Sequence, residues 1–306
     1  MRVDDVTTPT SVVNYSPPGH TGGVEPVGMV CVPGAGTAFP IGTTPVSCSA
    51  SDAATPARTA TCRFNVLVTP YIPPVPTISA TKFMAFGDSL TLGENGCNNE
   101  NVPCPFTRPA GHDYPTILAS LLNARYAQQT MSMDNRGRGA ETAADGASRL
   151  RDLLQVTVPQ VLLLLEGVND FAGDGTPASV AAALREDIRL AKAAGVKHVF
   201  LSNLPPEIAD GSRAYGLRNG DLLTPTNALI RDVAAQEGVF LVDSYAALSV
   251  NLHENISSPT IPIPGTNDSG DGLHLTFMGN QVLANTFFQA IQEKLEAGAS
   301  AMRTRR

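Results

Sequence analysis

The sequence has 306 residues, 42% of them hydrophobic and 16% charged, with a formal net charge of -7 at pH 7. That length holds one large domain or two ordinary ones, and the composition is neither that of a disordered chain nor that of a membrane-embedded one. The acidic balance argues against a nucleic-acid partner, whose phosphates demand clustered Lys and Arg. The one basic cluster, Arg303, Arg305 and Arg306, reads as a solvated tail over residues 301–306.

No apolar run approaches the roughly 18 residues of a spanning helix. The longest, Val161 to Leu165, has the length of a buried strand. The opening MRVDDVTTPT lacks the basic and apolar regions of a signal peptide, so either a signal has been removed or the chain is a fragment.

Residues 1–69 are rich in Thr, Ser, Val, Pro and Gly, with short alternating runs such as Pro45 to Ser49 and Cys62 to Val68. Recurring turn signals without helical periodicity predict a small all-β sandwich. Cys31, Cys48 and Cys62 lie here, and one of the three must stay free or pair between chains. Cys31 to Val68 reads CVPGAGTAFPIGTTPVSCSASDAATPARTATCRFNVLV. Its Cys, Phe-Pro-x-Gly-Thr-Thr, Val-x-Cys, Ala-x-Asp and Cys-x-Phe-x-Val pattern resembles the hyalin-repeat (HYR) family of immunoglobulin-like modules. Pro-Ala-Arg stands where that family usually has Gly-Asn, so the turn there is altered. The resemblance implies an adhesion or spacer unit without catalytic residues.

The run Pro70-Tyr71-Ile72-Pro73-Pro74-Val75-Pro76 opens a predicted extended spacer over residues 70–81. Residues 82–300 then alternate strand and helix signals. Strands are expected at Phe83–Phe86, Met131–Asp134, Val161–Leu165, His198–Ser202 and Val239–Val242. Helices are expected at Tyr114–Tyr126, Thr142–Leu154, Pro177–Ala194, Thr226–Glu237 and Phe277–Ala297. This is the α/β pattern of a doubly wound, parallel five-stranded sheet, which binds ligands beyond the carboxyl ends of its strands. Between them, Cys97 and Cys104 sit in an Asn-rich loop and suit a local disulfide, which favours an oxidising compartment. Zinc is allowed by the cysteine count, but no His stands nearby at ligand spacing.

Three segments follow predicted strands. Gly87-Asp88-Ser89-Leu90 places a hydroxyl at a strand end, with its own N–H near a helix start. Gly167-Val168-Asn169-Asp170 offers an amide that can donate to a developing oxyanion. Asp271-Gly272-Leu273-His274 precedes the last helix and can join a carboxylate to an imidazole. Alone, each is equally a turn or a surface loop; their order and placement together carry the signal.

In that combination the chain resembles the SGNH/GDSL hydrolases over residues 82–297. The resemblance implies a flavodoxin-like sheet and a serine esterase with Ser89 as nucleophile and Asp271 and His274 as its acid–base partners. Asn169 and the Ser89 N–H would serve the oxyanion hole. The family's second block, Asn-x-Gly-x-x-Gly, reads here from Asn135 through Gly137 to Ala140, so alanine stands at the final glycine, with Gly139 as the alternative donor. An ordinary φ would suit alanine; a positive one would disfavour it.

Asp88 is expected to support the serine turn, and Arg136 and Arg138 to be solvated or to bind an acidic substrate group. His20, His112, His198 and His253 are expected to be non-catalytic. The substrate implied is a small-molecule or polysaccharide ester, with short acyl groups favoured and no cofactor or metal required. A lipase, lysophospholipase, thioesterase, acyl transferase or inactive binding protein is the alternative. A secreted or cell-surface location fits the appended module.

Overall fold

From residue 9 to residue 72, alternation of small polar and β-branched side chains gives stretches such as residues 44–49 and 64–68 one face turned inward and one exposed. The computed structural model of the chain describes residues 9–72, 75–94, 110–260 and 270–297. The strands there are β1 (Thr10–Val13), β2 (Gly28–Val32), β3 (Thr37–Pro40), β4 (Gly42–Ser51) and β5 (Thr59–Val68). β4 and β5 pair antiparallel from Gly42 opposite Val68 to Ser51 opposite Thr59, β2 adds to β4, and β1 pairs with β3.

The two small sheets share a core of Val13, Phe39, Val46, Cys48, Val66 and Val68, with Tyr15 edge-on to Phe39 and Phe64. Asp52 shapes the turn before β5: its carboxylate accepts from the N–H of Val24 (3.0 Å), Ala54 (3.2 Å) and Arg58 (2.8 Å). So small a core needs a staple. The Cys31–Cys48 disulfide, 17 residues apart in sequence, stabilises the fold by about 3 kcal/mol on loop entropy. Cys62, opposite Cys48 in the β4–β5 register, is the free and exposed member of the three.

The chain divides into two compact units, Met1–Val75 and Pro76–Arg306. Residues 76–81, expected in the spacer, therefore belong to the second unit. Ser79 donates to the Leu295 carbonyl (3.1 Å) at the end of the last helix, and Ala297 beyond that helix donates to the Thr77 carbonyl (2.9 Å).

In the second unit, strands follow apolar runs and helices follow capped amphipathic ones. β6 (Lys82–Gly87), β7 (Ser132–Gly137), β8 (Val161–Leu165), β9 (His198–Ser202) and β10 (Phe240–Val242) form one parallel sheet in the order β10-β9-β8-β6-β7. Every side chain of β8 is fully buried, each contributing about 1.5–3 kcal/mol relative to exposure. β7 runs three residues beyond its expected end, because pairing with β6 continues to Gly87 opposite Gly137 and carries the polar Asn135 and Arg136 into the ladder.

The helices are α1 (Ser89–Leu92), α2 (Tyr114–Arg125), α3 (Ala143–Val156), α4 (Pro177–Ala194), α5 (Tyr215–Arg218), α6 (Leu223–Glu237), α7 (Ser244–Ser249), α8 (Leu252–Asn255) and α9 (Phe277–Leu295). α3, α4 and α6 pack in one group; α2, α7 and α8 pack on α9 in another. α4 starts at a capping box of Thr176 and Ser179 with Pro177 in its first turn, and stops at Gly195 in the left-handed conformation. α6 begins three residues before its expected start, since Pro225 is tolerated in a first turn. The strand order reverses direction between β6 and β8, the crevice where such sheets hold ligands.

Candidate active site

Ser89 follows β6 at that crevice. β6 and β8 approach so closely at Gly87 that a Cβ there would lie 1.8 Å from the Leu165 carbonyl oxygen. The chain then turns at Asp88, whose carboxylate accepts from the Leu90 N–H (2.9 Å) and caps α1, with Ser89 as its first residue. Gly93, at φ 88°, ends the helix after one turn. Asp88 thus supports the serine turn. Burial pushes its carboxyl up to about 7 against the lowering effect of the Leu90 hydrogen bond.

Asp271 and His274 meet Ser89 from the loop before α9. The Asp271 Oδ1 accepts from the Leu273 and His274 N–H groups, both at 3.0 Å, and Oδ2 lies 2.6 Å from His274 Nδ1. His274 Nε2 lies 2.9 Å from Ser89 Oγ, across 185 residues of sequence. All three side chains are buried. Burial alone would raise the Asp271 carboxyl, but His274 and the two N–H donors hold it below the usual carboxylate range. The loop is pinned on both sides: Gly272 donates to the Ser257 carbonyl, Ile208 to that of Gly272 and Ser257 to that of His274, each at 2.8 Å. Gly272, at φ 79°, packs against the Ile208 carbonyl where a Cβ would sit 2.6 Å away.

The second block brings its backbone beside the same strand end. Arg138 donates its N–H to the Gly87 carbonyl (2.9 Å), and a Cβ on Gly137 would strike the Leu92 nitrogen at 2.1 Å. Ala140 has φ 59°, the only non-glycine residue with positive φ among those described. That conformation costs an L-residue about 1–2 kcal/mol. Asn169, in a 3-10 turn after β8, donates an amide hydrogen to the Glu141 carbonyl (2.9 Å). Ala140→Gly keeps the N–H and removes the strain, so it is expected to hold turnover and raise stability by about 0.5–1 kcal/mol. Denaturant midpoints and kcat/KM of the two proteins check this. A destabilised variant would show that the methyl group packs usefully.

Sequence reasoning missed a buried ionic cluster under the second block. Glu141 pairs with Arg149 of α3, while both carboxylate oxygens of Glu166 and of Asp187 are buried without a hydrogen-bond partner among the described residues. The available signal was Glu166 itself, a charge directly after the apolar run of β8. Burial first, then the neighbouring carboxylates, push Glu166 up to about 11 and Asp187 to about 8. Burial likewise lifts Glu207 to about 7.

Raised folded-state values mean that the folded chain binds more protons than the unfolded one above about pH 4. Stability is therefore expected to fall from pH 5 to pH 8, because unfolding releases protons that these buried acids retain in the folded chain. Asp271 and Glu296 act oppositely, but their held-down values matter only below the usual carboxylate range. Urea midpoints at pH 5 and 8 measure the sign; a higher midpoint at pH 8 would contradict it.

The remaining candidates are engaged elsewhere. Arg136 pairs with Asp134 (2.8 Å) and Arg138 with Glu141 (3.5 Å). His20 lies near Glu25, His112 against Phe277, His198 against Phe240 and His253 beside Ser258. Cys97 and Cys104 lie outside the described residues. Arg138, Ala140, Asp145, Ser148 and Arg149 line a polar cleft of about 570 Å³. No helix among the described residues is long and apolar enough to cross a membrane.

Fold and site together define a carboxylic ester hydrolase. The chain belongs to the GDSL-like Lipase/Acylhydrolase family, whose model matches residues 85–282. Solved structures similar to it include LAE5, an alpha/beta hydrolase from the metagenome of Lake Arreo, Spain (22% identity, 70% of this chain and 96% of that one, TM-score 0.54). An aryl esterase of M. smegmatis in inhibitor-bound form is 21% identical (70% and 99% covered, TM-score 0.55). A mutant of Axe2, an acetyl-xylooligosaccharide esterase from Geobacillus stearothermophilus, is 20% identical (70% and 95% covered, TM-score 0.52). At these identities the likeness is one of fold. No curated protein matches the sequence.

Proposed function

We propose that this protein is a serine esterase that cleaves short-chain acyl esters of a hydroxylated alcohol through an acyl-enzyme. The observation that carries the reading is the continuous chain from Ser89 Oγ to His274 Nε2 (2.9 Å) and from His274 Nδ1 to Asp271 (2.6 Å). His274 takes the Ser89 proton as the oxygen attacks the ester carbonyl, and Asp271 holds the imidazole in the tautomer that can accept it. The N–H groups of Ser89 and Ala140 and the Asn169 amide stabilise the oxyanion. His274 then protonates the departing alcohol, and water repeats the sequence on the acyl group.

A hydroxylated alcohol is supported by the polar cleft beginning at Ala140, whose exposed Arg138, Asp145 and Ser148 suit hydroxyl groups. The Axe2 likeness, an acetyl-xylooligosaccharide esterase, points the same way. Hydrolysis of p-nitrophenyl esters from C2 to C12 tests the reading. Turnover is expected to be highest at the short end and absent in Ser89→Ala. An optimum at long chains would favour a lipase, and no turnover on any ester would remove the esterase.

The N-terminal unit is proposed to be an HYR-like spacer or adhesion module, and the protein to be secreted or held at the cell surface. The Cys31–Cys48 disulfide supports both. Recovery of the native protein from the culture medium would agree; confinement to a reducing cytosol would not.

A further inference from the structure

Resting on the esterase reading above, we propose that Arg149 and Glu141 are positioning residues for the oxyanion hole, clamping its backbone donor and its amide donor to the nucleophile strand. One guanidinium reaches three segments. Arg149 Nε lies 2.8 Å from each Glu141 carboxylate oxygen, Nη1 donates to the Arg136 carbonyl (2.8 Å), and Nη2 donates to the Gly87 carbonyl (3.3 Å). Its carbon centre lies 4.0 Å over the Phe86 ring. The ends of β6 and β7 and the Ala140–Glu141 turn are therefore held by one rigid fork.

Two of the three oxyanion donors hang on that turn. The Glu141 carbonyl takes the Asn169 amide, and the Ala140 N–H lies one residue earlier. Ala140 sits in a conformation it would leave if released, so something must impose it. Ser89 follows the clamped Gly87 by two residues.

Stability alone does not explain the pair. Glu141 is 1% exposed at its side chain and Arg149 19%, and such a desolvated pair is commonly no better for stability than apolar residues of the same shape. What a fork of directed donors supplies is geometry. Glu166 closes the cluster beneath: its oxygens are buried, and a Cβ on Gly146 of α3 would lie 2.3 Å from one of them.

The test is a cycle of Arg149→Met with Asn169→Ala, read by kcat and KM on a p-nitrophenyl ester and by the rate of fluorophosphonate labelling. Arg149→Met is expected to lower kcat about 30- to 100-fold with KM within about threefold, and to slow labelling in parallel. In the Asn169→Ala background the same change is expected to cost less, about three- to tenfold, because one of the two donors it positions is already gone. Arg149→Lys should recover only part of the loss. If Arg149→Met does not fold, the near-isosteric Glu141→Gln runs the same cycle. Fully additive losses, or a lower melting temperature with unchanged kcat, would overturn the positioning role. A wild type neither active nor labelled would instead overturn the esterase reading, and the positioning role with it.

Discussion

Replacing Ser89 with alanine is expected to lower kcat/KM by about 10⁴- to 10⁶-fold while leaving the melting temperature nearly unchanged. Among the described residues the hydroxyl makes one hydrogen bond, to His274 Nε2, so its removal takes away the reacting atom and little else. Asp271→Asn separates the roles further. The carboxylate that accepts from His274 Nδ1 and from two backbone N–H groups becomes an amide. An amide hydrogen facing Nδ1 favours the tautomer with its proton on Nε2, where it cannot take one from Ser89. A loss of about 10⁴ in kcat follows, with Ser89 still present. Steady-state kinetics beside circular dichroism check both variants. Equal activity of wild type and Ser89→Ala would remove the nucleophile assignment.

Gly87→Ala is expected to be the most damaging substitution away from the reacting groups. The new methyl would stand 1.8 Å from the Leu165 carbonyl oxygen, 2.5 Å from Thr91 Oγ1 and 2.9 Å from the Leu165 carbonyl carbon. Two of these three neighbours are backbone of β8, which cannot swing away as a side chain can. Relief requires parting β6 from β8 at their paired residues Gly87 and Leu165. A destabilisation of about 4 kcal/mol or more is expected, with activity lost as the serine turn moves off the sheet. Chemical denaturation gives the energy. A loss under about 1 kcal/mol would mean that the sheet end yields more easily than its packing implies.

The helices and strands with several turns or a continuous apolar run were legible in the sequence. α4 was foreseen to the residue because Pro177 opens it and Gly195 closes it. β8 and β9 are legible because a short apolar run reads as a buried strand; all five side chains of β8 and the last four of β9 are buried. The short helices α5, α7 and α8 were not foreseen, since four to six residues cannot display a period of 3.6. The far end of β7 escaped for a different reason. Asn135 and Arg136 have no strand propensity, and the neighbouring β6 ladder recruits them.

The site divides along the same line. By itself the sequence determined which groups stand at strand ends: a serine after β6, an amide after β8, and a carboxylate three residues before an imidazole. Those are local facts, set by turn residues and by the alternation of apolar runs with helices. Tertiary structure decided what those groups touch. The 2.9 Å contact between Ser89 and His274 spans 185 residues and exists only because β6 and the loop before α9 end at the same edge of one sheet. The positive φ of Ala140 and the Arg149–Glu141 clamp were also settled there. No residue type announces either one. Each arises where separate segments are forced together and their backbone carbonyls and charges must be satisfied away from water.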